Sequence, residues 1–366
     1  MSITSHFRWL AFWGTSALLL GACVIEGDDP SVDTAEEGED VLDPAAGDVA
    51  VQLSAAATSV GAAERVTLTL TLTNTTRRPI RLLSWNAPDG ALEEDLFVVM
   101  RDGQPVEFTG PHYKRPVPGD TDFVTIAPGK SVTRAADLSG SYDLLQTGHY
   151  TVRYRVELAH PGAKHAATIE SNDLDLWIEG RASAPKTVGD AAQDLSGGLS
   201  FSRCSLDQQN LIVQALGAAS VMANDAKLYL SGAPSATPRY TTWFGAFSVG
   251  GWATADSHFA VIKDAIDVRP LSFDCGCKKN YYAYVYPNQP YEIYLCSVFW
   301  GAPLSGTDSK GGTLIHELSH FNVVAGTDDW AYGQTNAKAL AISDPTKALS
   351  NADSHEYFAE NTPLLQ

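Results

Sequence analysis

Positive charge is scarce in this 366-residue chain: 25 Lys and Arg stand against 43 Asp and Glu, a formal net charge of −18. The balance excludes a nucleic-acid partner, since phosphate binding is carried by Lys and Arg. Nor does it give an anionic membrane anything to attract. Between Cys23 and Arg65 the shortage is complete, with no Lys or Arg at all. Residues 23–48 mix Asp and Glu with Gly, Pro, Ser and Ala and hold few large apolar side chains, which reads as an acidic disordered tether. Long hydrophobic runs are missing too. The apolar stretch Trp9 to Leu20, behind Arg8, is too short to span a bilayer as a mature helix and has the form of an export signal over residues 1–22. Cysteine is used sparingly, five in all. Four of them, Cys204, Cys275, Cys277 and Cys296, follow Cys23, and in an exported chain an even number argues for disulfides, with three possible pairings. A cysteine zinc site is the rival, disfavoured by the CxC spacing of Cys275 and Cys277.

What is present describes a globular protein with two domains. Apolar residues make up 44% of the chain and charged ones 19%. From about Val49 the texture is β. Arg65 to Thr73 alternates strictly, leucines on one face and threonines on the other, as a half-buried strand does. Leu96–Met100, Phe123–Ile126 and Tyr150–Leu158 continue the pattern, with turns such as Arg101-Asp-Gly103 between them. Short strands at this spacing predict a β-sandwich over residues 49–180, and Gly148-His-Tyr150 is similar to the corner-forming strand of immunoglobulin-like domains. His112, His149, His160 and His165 lack metal spacing and read as surface or turn residues. Residues 181–199 lack periodicity and read as a linker. After it, Ser205-x-x-Gln208 is a capping box ahead of helically spaced Leu211, Ile212, Ala215, Leu216 and Ala219. A second helix is expected from about Ala255 to Ile266, carrying a structural His258. A hairpin follows, with Tyr281–Tyr286 and Tyr291–Cys296 joined by the four residues between them. Its edge suits an extended substrate added as a strand, and a plain tyrosine-rich sheet face is the alternative.

Chemistry concentrates in Thr313-Leu-Ile-His316-Glu317-Leu-Ser-His320. Histidines at i and i+4 leave one face of a helix and can hold one metal ion, and Glu317 beside them is placed to act on a water. Gly311-Gly312 read as a break, Thr313 as the cap and Gly326 as the helix end. A catalytic zinc site needs a third protein ligand. Val323 and Gly326 occupy the places where HExxHxxGxxH would have its glycine and third histidine. Instead the chain reads Gly326-Thr327-x-Asp329-x-x-Tyr332-Gly333, and a turn after the helix can return Asp329 beneath the histidines. Glu356 or Glu360 from a downstream helix is the rival ligand.

HExxH followed by GTxDxxYG resembles the signature of the aspzincin metalloendopeptidases, the deuterolysins and peptidyl-Lys metalloendopeptidases, at every fixed position. The resemblance runs from just before Cys204 to the C-terminus. It implies an α+β, helix-rich zincin-type domain over residues 200–366 with one Zn2+ per chain. His316, His320 and Asp329 would be its ligands, Glu317 the general base, and Tyr332 the hydroxyl that stabilises the oxyanion. It further implies disulfides Cys204–Cys275 and Cys277–Cys296. Asn351-Ala-Asp353-Ser-His355-Glu356 opens a short helix whose Asp353 and Glu356 share a face at i, i+3. Two carboxylates on one wall suit a cationic side chain, and the resemblance to the peptidyl-Lys branch implies cleavage before lysine. Asp353 as a simple helix cap is the other reading, and His355 points off that face.

Leu20-Gly21-Ala22-Cys23 resembles the lipobox of bacterial lipoproteins, which implies lipidation of Cys23 and an envelope location, outer membrane or surface. An ordinary signal peptide and secretion is the alternative. In exported aspzincins an N-terminal β-domain commonly blocks the cleft until removed, which implies a zymogen cut near Pro185-Lys186; a retained accessory domain is the alternative. The whole therefore reads as an exported zinc metalloendopeptidase acting on proteins or peptides. It would be a monomer, touching membrane only through an N-terminal lipid. The competing function is a catalytically idle surface lipoprotein that binds a partner through its sandwich.

Overall fold

Leucine and threonine alternate from Thr67 to Thr73 because one side of this strand faces a core and the other faces water. In the computed structural model, which describes residues 44–45, 47–158, 167–181, 193–195 and 198–366, Leu68, Leu70 and Leu72 are fully buried while Thr67 and Thr69 are exposed. Thr67–Asn74 pairs antiparallel with Val49–Ala55 and with Ser131–Asp137. A second sheet runs through Leu174–Ile178, Gly148–Leu158 and Phe97–Arg101. Its inward residues Val99, Val152, Tyr154 and Leu176 join the leucines of the first sheet in one apolar core. Tyr150, in the strand singled out from the sequence, donates its hydroxyl to the Gln146 carbonyl at 2.5 Å.

The C-terminal part is built on a six-stranded mixed sheet. Its order is Gln193–Leu195, Leu199–Ser202, Leu271–Asp274, Glu292–Leu295, Ala283–Val285 and His112–Lys114. The last strand comes from far upstream in the chain. Eight helices accompany this sheet among the described residues: α1 (Leu206–Leu230), α2 (Pro238–Phe244), α3 (Val249–Val268), α4 (Ser297–Gly301), α5 (Lys310–His320), α6 (Gly333–Ser343), α7 (Pro345–Ala348) and α8 (Ala352–Glu360). Ser205 caps α1 with both bonds of the expected capping box. All 11 residues of α5 are buried, and it packs against α1, α3 and α8. Both disulfides implied by the resemblance are present, with Cα–Cα separations of 4.9 Å for Cys204–Cys275 and 4.6 Å for Cys277–Cys296.

Several boundaries differ from the sequence expectation. Ser309, not Thr313, caps α5, accepting from the Gly312 amide at 2.9 Å. Gly311 and Gly312 lie inside the helix rather than before it, and glycine is needed there because their neighbours leave no room for a side chain. A Cβ on Gly311 would sit 2.5 Å from Met222 Cε, and one on Gly312 would sit 2.1 Å from Glu360 Oε1. The helix stops at His320, and Gly326 (φ +57°) belongs to the following turn. Helix α3 begins at Val249, ahead of the expected Ala255, where the Ser248 side chain accepts from the Gly251 amide. In the hairpin Ala283 pairs with Leu295 and Tyr284 with Tyr294, so its connection is longer than four residues. Gln193–Leu195, read as linker, is a strand of the C-terminal sheet, where backbone pairing with Leu199–Phe201 outweighs its lack of apolar periodicity. The export signal, Cys23, His160, His165 and Pro185-Lys186 fall outside the described residues. No helix of the described residues is long and apolar enough to cross a membrane.

Gly312→Ala is expected to lower the melting temperature by several degrees. Overpacking of this kind costs about 1–3 kcal/mol, and Glu360 is tied to the Ser309 amide and hydroxyl at 2.8 and 2.7 Å and cannot easily yield. Calorimetry of the variant checks this, and an unchanged melting point would mean the Glu360 contact relaxes freely.

Candidate metal centre

One helical turn separates His316 and His320 on α5, and their Nε2 atoms lie 3.1 Å apart. The chain then turns through Gly326 and Thr327 and brings Asp329 to the same point. Its Oδ1 is 3.2 Å from His316 Nε2 and its Oδ2 is 3.5 Å from His320 Nε2. The turn is strapped down by backbone bonds from Asp328 to Ser350 and from Ala352 back to Asp328, at 2.8 and 3.0 Å. Asn351 Oδ1 adds a bond from the Ala331 amide at 3.0 Å. His320 Nδ1 donates to the Thr327 carbonyl at 2.7 Å, which leaves Nε2 free to act as a ligand. His316 Nδ1 lies 2.9 Å from Asp353 Oδ1.

Electrostatics at this point call for a cation. The side chains of Asp329 and Glu317 are enclosed, and neither Glu317 oxygen has a hydrogen-bond partner among the described residues. Burial would raise the Asp329 pKa, yet His320 and His316 hold it well below the usual carboxylate range. Burial pushes His320 down to about 3. Burial also opposes charge on His316, but Asp329, Asp353 and Glu356 around it hold its pKa well above the ordinary value. Glu317 is pushed up to about 8, chiefly by burial. Tetrahedral zinc with bonds of about 2.0–2.1 Å has its donor atoms roughly 3.3 Å apart. The three separations here, 3.1, 3.2 and 3.5 Å, fit that set. Glu356 and Glu360 do not join it: Glu356 is 3.5 Å from the opposite nitrogen of His316, and Glu360 is bonded to Ser309.

Asp353 does not cap α8, whose cap residue is Asn351. Its Oδ2 accepts from the Gly333 amide at 2.6 Å, and it stands with Glu356 on one buried wall. Against that wall lies a lysine that nothing in the sequence pattern marked. Lys114 Nζ is 2.5 Å from Glu356 Oε2, 3.6 Å from Asp353 Oδ1 and 3.7 Å from Asp308 Oδ1. The Tyr282 ring stands 4.9 Å from the same ammonium group. Burial opposes its charge, but Glu356, Asp353 and Asp308 keep it protonated well above the ordinary lysine range.

Lys114 arrives on the strand His112–Lys114, which pairs antiparallel with the hairpin edge: Lys114 opposite Ala283, Tyr113 opposite Tyr284, His112 opposite Val285. The edge read as a place for an added strand is filled by the protein's own chain. Arg115, next along, donates to the Tyr332 hydroxyl at 2.7 Å and also pairs with Glu94. The Tyr332 hydroxyl in turn donates to Glu94 at 3.0 Å. His112 corrects the surface reading: it is enclosed beside the metal centre, its ring 4.9 Å from that of His320, because the strand that carries it is buried in the cleft. His149 is exposed, as expected. His258 Nδ1 and His355 Nε2 are 2.9 Å apart, the first half-buried and the second buried, with His355 packed on Phe244 and Phe259.

The family model of lysine-specific metallo-endopeptidases, the aspzincins, matches residues 229–360. An extracellular protease of Aeromonas hydrophila is 50% identical over 313 residues, covering 83% of this chain and 90% of its own. The peptidyl-Lys metalloendopeptidase of Grifola frondosa is 37% identical over 310 residues, covering 80% of this chain and 87% of its own. A solved zinc peptidase from Grifola frondosa is 46% identical with a TM-score of 0.44, covering 44% of this chain and all of that one. A relative half-identical across most of both lengths, joined to a signature whose HExxH and Asp329 converge on one point, leaves one assignment: the chain belongs to the aspzincin family of zinc metalloendopeptidases.

Proposed function

We propose that this enzyme is made latent and, once freed, hydrolyses peptide bonds on the N-terminal side of lysine. The observation that carries the reading is Lys114, a lysine held on an added strand against Asp353 and Glu356 beside the metal centre. A substrate lysine would take the same place. The relatives named for peptidyl-Lys cleavage support this specificity.

In the mechanism we assign, His316, His320 and Asp329 hold the zinc, which when bound polarises water and the scissile carbonyl. Glu317 Oε accepts the proton of the attacking water and delivers it to the departing amine nitrogen. The Tyr332 hydroxyl donates to the carbonyl oxygen as negative charge builds there, a contribution worth about 3 kcal/mol. Asp353 and Glu356 neutralise the ammonium of the lysine that follows the scissile bond, which fixes the register of the chain being cut. Peptide chain adds to the Ala283–Val285 edge by backbone pairing.

Latency follows from the same parts. Residues 49–180 form an immunoglobulin-like β-sandwich pro-domain in this reading, with residues 181–199 as the segment cut near Pro185-Lys186 and residues 200–366 as the peptidase. The strand Gln193–Leu195 argues for a cut before it, since it pairs within the peptidase sheet. Export by residues 1–22, with lipidation at Cys23 and the acidic tether of residues 23–48, completes the organisation.

The test is a digest of an unfolded protein by the processed enzyme, with peptide termini read by mass spectrometry. New N-termini that are nearly all lysine are expected. Asp353→Asn is expected to reduce kcat/KM for lysine sites by about tenfold to a hundredfold, since hydrogen bonds to charged groups contribute about 1.5–3 kcal/mol. Cuts with no lysine preference would discard the pocket, and absence of cutting by the zinc-loaded enzyme would discard the reading as a whole.

A further inference from the structure

The inserted strand brings a second side chain to the cleft. Residues two apart on a strand point to the same face, so His112 accompanies Lys114 toward α5 while Tyr113 turns away to pack on Tyr281 and Tyr284. His112, His320 and Asp329 each offer a donor atom within 4.8 Å of the others. The His112 ring stands as close to His320, at 4.9 Å between centroids, as His316 does at 4.8 Å. His112, from the upstream segment, therefore stands beside two of the three converging donors of the peptidase, His320 and Asp329. A catalytic zinc site keeps one of four positions open, and a fourth protein ligand closes it.

Resting on the latent reading above, we infer that His112 is the fourth ligand of the metal in the unprocessed chain. Its imidazole closes the coordination position that catalysis requires, while Lys114 fills the lysine pocket. Latency then has two locks on one strand, and withdrawal of that strand opens both together. The chemistry is sound for zinc: a neutral imidazole is a common ligand, and three imidazoles with one carboxylate make an ordinary four-coordinate set. Loss of His112 on activation leaves two imidazoles and one carboxylate, the set of an open catalytic site.

The experiment is zinc X-ray absorption on the full chain carrying Glu317→Gln, which keeps the ligands but blocks self-processing. Three imidazoles per zinc are expected, falling to two in Glu317→Gln/His112→Ala and to two after the upstream segment is removed by another protease. A count of two imidazoles in the unprocessed chain overturns the proposal without needing the His112 variant to fold. If that count is two and the chain is still latent, the reading of Lys114 as the block survives without His112. If the chain holds no zinc, the catalytic reading itself fails. The exchange of zinc to a chelator gives a second readout: slower by at least tenfold in the unprocessed chain than in the His112→Ala form, if the fourth ligand is real. Equal rates would count against it.

Discussion

Glu317→Gln is expected to keep one zinc per chain and the native fold while turnover of a lysine-containing peptide falls by two to four orders of magnitude. The amide matches the carboxylate in shape but cannot take the water proton, and a positioned base contributes about 10²- to 10⁴-fold. The zinc stays because Glu317 is outside the converging donor set of His316, His320 and Asp329. The fold stays because neither Glu317 oxygen accepts a hydrogen bond that the amide would lose. Zinc content by atomic absorption, thermal unfolding and peptide turnover are the three measurements. Turnover retained within a few fold would remove Glu317 from the role of base, and loss of zinc would mean the side chain holds the metal.

Lys114→Ala is expected to act in the opposite direction, raising the activity of the unprocessed chain. Lys114 is buried together with Glu356 and Asp353. Removing one partner of a buried pair costs about 3–5 kcal/mol, because the remaining charge is left uncompensated. The peptidase can escape that cost by releasing the strand, which returns both carboxylates to water. At about 1.4 kcal/mol per tenfold, the open population rises by a factor between about a hundred and a few thousand. The measurement is hydrolysis of a short lysine peptide by intact chain, with a gel run at each time point to show that no processing has occurred. An unprocessed variant as inactive as the parent would mean the block is carried elsewhere on the strand. Lys114→Arg serves as the control for charge, since its planar guanidinium keeps the charge but not the compact fit.

These two expectations rest on different kinds of information. The first was legible in the sequence. Histidines at i and i+4 must share a helix face whatever surrounds them, and the GTxDxxYG run after them is short enough that local turn geometry returns Asp329 to the two histidines. The alternation of Thr67 to Thr73, the capping box at Ser205 and the i, i+3 pairing of Asp353 with Glu356 were legible for the same reason. Each is a relation between residues a few positions apart, governed by one helical or strand period. Gly311 and Gly312 misled because the need for glycine there comes from Met222 and Glu360, residues distant in sequence.

Sequence alone thus determined the metal ligands, the base and the acidic pocket as a set of candidates, and with them the class of chemistry. Only the tertiary structure decided what occupies the cleft. His112, Lys114 and Arg115 carry no periodicity or spacing that marks them, since His320, Glu356 and Tyr332, which they meet in the cleft, lie more than 200 positions downstream. Their roles arise from strand pairing at one exposed sheet edge and from buried charges that must find partners, wherever in the chain those partners stand. A local pattern can specify a helix face. It cannot specify which distant strand will close a sheet.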